Sequence, residues 1–92
     1  MPHGEYKVPG GKLVVVDAAL RDGRLVDVEV SGDFFLEPAE ALDAITAALE
    51  AMPADLDEDA IARRVAGAVA PDVEMIGFTP NAVARAVRRA LA

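Results

Sequence analysis

Strand-patterned residues come first in this chain and helix-patterned residues follow, an order that predicts an α+β fold. Three observations carry the expectation: two β-rich runs around Asp22-Gly23, helical spacing of apolar residues after Pro38, and a length of 92 residues that leaves room for one core. The predicted architecture is a single small domain over residues 1–92. An N-terminal β-hairpin packs against about three α-helices, and a compact chain of this size has a radius of gyration of about 12 Å.

Residues 1–11 hold two Pro and three Gly and are predicted to form a flexible N-terminal loop. Residues 13–20 and 24–31 are rich in β-branched and aliphatic side chains and flank Asp22-Gly23, a hairpin signal. A two-residue loop would set Asp17 opposite Val28 and Val16 opposite Glu29, mixing polar and apolar groups on both faces. A three-residue loop, Arg21-Asp22-Gly23, pairs Val14, Val16 and Ala18 with Val30, Val28 and Val26, and is the preferred register because one face becomes wholly aliphatic. It sets Asp17 against Asp27 on the outer face, a like-charge pair that costs some tenths of a kcal/mol. Leu13, Val15, Ala19 and Leu25 share that outer face, so a further strand or another protein is expected to cover it.

Glu37-Pro38 is expected to open a helix over residues 38–52, with Pro at the first position and Leu42, Ile45, Leu49 and Met52 facing inward. Pro53 ends it. Asp55 or Asp57 caps a second helix over residues 57–69, with Ile61, Val65 and Val69 on its inner stripe. Residues 73–78 are short and apolar, and strand and loop both remain open for them. Thr79-Pro80 starts a last helix with Val83, Val87 and Leu91 inside, and its Arg85, Arg88 and Arg89 lie where cations favour the helix dipole.

Composition excludes several functions. The 19 alanines and only four aromatics make a thin core, and one His, one Ser and no Cys leave almost nothing for a nucleophilic triad or a zinc site. No apolar run reaches the ~18 residues that span a bilayer, and the N-terminus lacks the regions of a signal peptide; the expected location is the cytoplasm, with no membrane partner. The net charge of −7 divides into −2 over residues 1–36, −8 over 37–62 and +3 over 63–92. An acidic surface of this kind disfavours nucleic acid as a partner, because phosphate neutralisation dominates such binding.

Two segments stand out. In Tyr6-Lys7-Val8-Pro9-Gly10-Gly11-Lys12-Leu13, Gly10 and Gly11 would let backbone amides approach an anion that Lys7 and Lys12 could neutralise. The Walker-type phosphate loop does not fit, since its first Gly falls at Tyr6 and its Ser/Thr at Leu13; a flexible lead into a strand is the plainer reading. In Gly32-Asp33-Phe34-Phe35 the two phenylalanines cannot face the same way in an extended segment. Either one is core and the other an interface anchor, or both pack at the corner between sheet and helix. The acids Asp55, Asp57, Glu58 and Asp59 lack the spacing of a calcium loop and read as a solvated helix start. His3 falls in the predicted tail and is assigned no role.

Taken together, the Tyr6-Lys7 and Gly10-Gly11-Lys12-Leu13 start, the Asp-Gly hairpin and the Gly32-Asp33-Phe34-Phe35 corner before a Pro-led helix resemble the accessory C-terminal domain of lipoate–protein ligases. The resemblance extends over most of the chain, with its motifs concentrated in residues 6–38. It implies a non-catalytic small subunit that supports activation of lipoate to lipoyl-adenylate, with ATP and Mg, on a separate catalytic large subunit, and through it modification of lipoyl acceptor domains. The start at Met1 and the end in a predicted helix suit the separate, heterodimeric form. By resemblance Lys7, Gly10, Gly11 and Lys12 form the loop facing the partner or nucleotide, and Gly32, Asp33, Phe34 and Phe35 the supporting corner; no cofactor is expected on this chain alone. The alternative is a stand-alone interaction or regulatory module of the same fold, and an independent enzyme using carboxylates is the least favoured.

Overall fold

The computed structural model describes residues 2–92. In chain order these form β1 (His3–Lys7), β2 (Leu13–Arg21), β3 (Arg24–Gly32), β4 (Phe35–Glu37), α1 (Ala41–Leu49), α2 (Glu58–Ala68), β5 (Glu74–Ile76) and α3 (Pro80–Leu91). The class is the expected α+β, with an antiparallel sheet in the order β1-β2-β3 and a separate antiparallel ribbon of β4 and β5. α3 crosses β1 and β2, α1 lies against β3, and α2 packs on the other two helices. Val14, Val16, Leu25, Ile45, Leu49, Met52, Ile61, Val65, Val83 and Val87 are fully buried between these layers. The Cα radius of gyration, 11.9 Å, matches the expectation for the length. Among the described residues no helix is long and apolar enough to cross a membrane.

The hairpin departs from the expected register. Arg21 pairs with Arg24, so the loop is the two-residue Asp22-Gly23, both residues at positive φ (53° and 76°), as the turn that matches strand twist requires. The apolar mismatch that argued against this loop is removed by a bulge. Ala19 pairs with Val26 and Asp17 with Glu29, so Asp27 and Val28 stand against Ala18 alone, and Asp27 takes a φ of 53°. The extra residue switches the alternation of β3: Leu25 lies inside before the bulge, and Val28 and Val30 lie inside after it. Leu25 thus belongs to the core rather than the outer face, and Asp17 meets Glu29 instead of Asp27. Glu50 holds the bulge, its carboxylate accepting from the amides of Asp27 (3.0 Å) and Val28 (3.1 Å).

Residues 3–7 are a strand, which corrects the expectation of a flexible loop over residues 1–11. Tyr6 pairs with Val14 and Gly4 with Val16, and the intervening residues form an ordered turn in which Val8 N–H donates to the Lys12 carbonyl (3.0 Å). The missing signal has a physical cause. Gly4 lies so close under α3 that a Cβ there would collide with the Ala86 carbonyl and the Ala90 amide. A glycine that reads as a loop residue is therefore the point of closest helix–sheet approach, and the Ala82, Ala86 and Ala90 side chains, all buried, make the same approach possible from the helix side.

β1 extends the sheet at the edge of β2 and does not cover its outer face. On that face His3, Glu5 and Lys7 stand beside Asp17, Val15 and Leu13, so charged neighbours flank the aliphatic residues and no continuous apolar patch forms. α1 begins at Ala41, not at Pro38: the Glu37–Pro38 peptide is cis, and the Pro38 carbonyl accepts from Ala41 N–H in a turn. The helix also ends early, because Ala51 at φ 60° redirects the chain. Met52 then drops into the core, and Leu25 exchanges backbone bonds with Ala51 (2.7 Å) and Met52 (2.9 Å). α2 and α3 start as expected, with the Asp57 carboxylate accepting from Ala60 N–H and the Thr79 hydroxyl oxygen from Ala82 N–H. Residues 74–76 settle as a strand by pairing with β4.

Candidate functional site

The two segments singled out in the sequence are brought into contact at one end of the molecule. Leu13 N–H donates to the Asp33 carboxylate at 2.8 Å, joining the start of β2 to the corner after β3. Lys12 N–H donates to the Gly77 carbonyl, also at 2.8 Å, joining the turn to the residue after β5. Gly32 lies against the Leu13 carbonyl where a Cβ would collide, and a Cβ at Gly77 would strike the Lys12 side chain. Three chain segments thus lock into one platform, and each close approach needs a glycine.

Phe34 and Phe35 divide as an alternating segment must. Phe34 is half-buried and stacks on Phe78 with ring centroids 4.0 Å apart and planes at 24°. Phe35 is 64% exposed and pairs across the ribbon with Ile76, itself 47% exposed. One phenylalanine is therefore structural and the other is presented outward. A groove of about 440 Å³ runs beside it, with Val30, Phe34, Leu36 and Leu42 among its walls.

The backbone of the turn is already engaged. Gly11 N–H donates to the Val8 carbonyl (2.8 Å), and the amides of Val8, Lys12 and Leu13 have the partners given above. Those four donors are not free to cradle an anion, so the exposed side chains of Lys7 and Lys12 are the main groups the loop offers an anion. Gly10, at φ 71°, forms the exposed tip. Lys7 is exposed with Nζ 3.4 Å from the Val8 carbonyl, and Lys12, also exposed, extends along Gly77. Among the described residues neither lysine is in an ion pair.

Other candidate residues turn out to serve structure. The arginines of α3 are occupied: Arg85 pairs with Glu58 at 3.1 Å, Arg88 donates to the carbonyls of Ala54 and Leu56, and Arg89 donates to the Glu5 carbonyl. Arg85 and Arg89 also stand over the Tyr6 ring, 5.3 and 5.0 Å from its centroid. The hydrogen bond from Arg85 holds the Glu58 carboxyl below its ordinary value and the Arg85 guanidinium above its own. Among the described residues no group of three or more His, Asp or Glu is placed to hold a metal ion. His3, assigned no role from the sequence, bridges the Glu5 and Asp17 carboxylates, and these hydrogen bonds, Glu5 first, raise its pKa.

Sequence reasoning missed Gly77 and Ile76 as parts of the platform. The available signal was a glycine inside a short apolar run, which marks a close backbone approach.

The sequence matches no protein-family profile and no curated protein. A structural likeness exists to a chain from an archaeal lipoylation system, described as a bipartite lipoate protein ligase and its E2 lipoyl domain, from Thermoplasma acidophilum. The TM-score is 0.73 at 23% identity, covering 94% of this chain and 92% of the other. At that identity the likeness establishes a shared fold.

Proposed function

We propose that this chain is a non-catalytic accessory subunit of a lipoate–protein ligase, acting on a separate catalytic subunit to support ATP-dependent formation of lipoyl-adenylate. One observation carries the reading: the segments whose residues resemble the ligase accessory domain, far apart in sequence, are bonded into a single platform through Leu13–Asp33 and Lys12–Gly77. The fold shared with a chain of a bipartite ligase system supports it, as does a sequence with one His, one Ser and no Cys. On this reading ATP, Mg and lipoate are held by the catalytic subunit, and lipoyl acceptor domains are reached through it.

Within the platform Lys7 and Lys12 carry the positive charge. Because the amides of Val8, Gly11, Lys12 and Leu13 are satisfied internally, these ammonium groups act by charge, either on the developing pyrophosphate or on the partner loop that surrounds it. A cation beside a developing anion in a water-excluded site contributes up to several kcal/mol. Asp33 and Phe34 position the lysines by fixing the strand start and the corner.

The test mixes the purified chain with the catalytic ligase subunit from the same genome and follows pyrophosphate release with lipoate and ATP. Release that depends on the chain supports the reading; a catalytic subunit equally active alone overturns it and leaves the stand-alone interaction module. Mass analysis of both products also shows whether this chain itself gains a lipoyl group, the outcome expected of an acceptor rather than an accessory subunit.

A further inference from the structure

The face of the β4–β5 ribbon opposite the core has an unusual composition. Leu36 and Met75 point inward, Leu36 buried and Met75 packed on the core. The outward positions are Phe35 against Ile76 and, next along the ribbon, Glu37 against Glu74. The first pair is an exposed apolar patch continuous with the groove beside Phe35. The second sets two carboxylates directly opposite one another, an arrangement that destabilises a sheet. Among the described residues neither Glu37 nor Glu74 is in an ion pair. A ribbon of three residues per strand gains no stability from such a face.

We propose that this face docks a protein segment bearing one apolar side chain beside an Arg or Lys, the apolar group covering Phe35 and Ile76 and the cation bridging Glu37 and Glu74. Charge complementarity selects that occupant. Directly opposite residues in an antiparallel pair have Cβ atoms about 5 Å apart, so a single guanidinium can reach both carboxylates, and the repulsion present in the free chain becomes attraction in the complex. A second copy of this chain is disfavoured, because a face-to-face dimer would gather four carboxylates at one junction. Nucleic acid and anionic lipid are repelled by the same groups. The assignment rests on the reading that the chain acts with a catalytic ligase subunit, and it specifies which surface that subunit must contact and with what chemistry.

The experiment measures binding of the catalytic ligase subunit to the full chain by calorimetry at two salt concentrations, with sedimentation of the chain alone as a companion. Glu37→Lys/Glu74→Lys and Phe35→Ser are each expected to weaken binding by about tenfold or more, as loss of a desolvated charge pair or an aromatic anchor does. Glu37→Gln/Glu74→Gln should weaken it less and flatten its salt dependence, while melting no earlier than the wild type, which keeps a folding defect from imitating the result. If the wild-type chain binds and all three variants bind equally well, this surface is wrong and the functional reading stands. If the wild-type chain does not bind, the functional reading falls and takes this assignment with it. Self-association abolished by Phe35→Ser would make the occupant a second copy and overturn the proposal.

Discussion

The two ends of the β-sheet's helical cover treat charge and apolar surface in opposite ways. Under α3, Arg85, Arg88 and Arg89 each meet a carboxylate, backbone carbonyls or the Tyr6 ring, and Gly4 and the alanines bring helix and strand into close contact. Around the β4–β5 ribbon, Glu37 and Glu74 face each other and Phe35 and Ile76 face outward. Four of the five arginines in the basic last third of the sequence, Arg64, Arg85, Arg88 and Arg89, are engaged in holding the fold. The acidic and aromatic residues of the ribbon, like Lys7 and Lys12 at the turn, are exposed and, among the described residues, left without an ion pair.

The contrast can be broken first at the core. Leu25→Ala should lower unfolding stability by about 2–5 kcal/mol, the cost of a large-to-small change at a fully buried site. Val26→Ala, at a half-exposed position, should cost clearly less. Denaturant titration of both reads the register directly, and a larger loss at Val26 would restore the unbulged hairpin. Next is Gly4→Ala, which forces a methyl group into the α3 backbone and is expected to cost about 1–3 kcal/mol; an unchanged midpoint would contradict the close approach. Glu50→Ala removes two charge-assisted hydrogen bonds from the bulge amides and should cost about 1–3 kcal/mol, with exchange of the Asp27 and Val28 amides accelerated.

The smallest effect concerns His3. Its folded pKa lies above its ordinary value because Glu5 and Asp17 accept its protons. The resulting stabilisation is complete below the unfolded imidazole value, about 6.5, and is lost as pH rises through the raised folded value. Wild type should therefore melt slightly above His3→Gln near pH 6, about equally near pH 9. All three side chains are well exposed, so the difference is modest. A gap that widened with pH would contradict the assignment.

Class, two helix caps and the position of the hairpin were legible because they rest on local chemistry: Asp57 and Thr79 cap where side-chain oxygens precede apolar spacing, and Asp22-Gly23 marks the bend, although the loop has two residues where three were expected. The register was not legible. It depends on Asp27 and on Glu50, whose carboxylate reaches back across 23 residues of sequence to the bulge. β1 was hidden for a similar reason, since Gly4 is defined by what lies above it rather than by its neighbours in the chain. Of the site, Lys12, Gly32, Asp33 and Phe34 could be named from the sequence. Gly77 carried only the local signal of a glycine in a short apolar run, which marks a close approach without saying that residue 12 makes it. The division of Phe34 from Phe35 followed from strand alternation, whereas which of the two is buried was set by Phe78.

The proposal that the platform serves activation rather than transfer is tested most directly by separating the two steps. With the catalytic ligase subunit, pyrophosphate release from lipoate and ATP is measured beside lipoyl transfer from preformed lipoyl-adenylate, using the wild-type chain and Lys12→Ala. The expected result is that the wild-type chain accelerates the first step and leaves the second unchanged, and that Lys12→Ala loses most of that acceleration. Equal loss in both steps, or none in either, would contradict it.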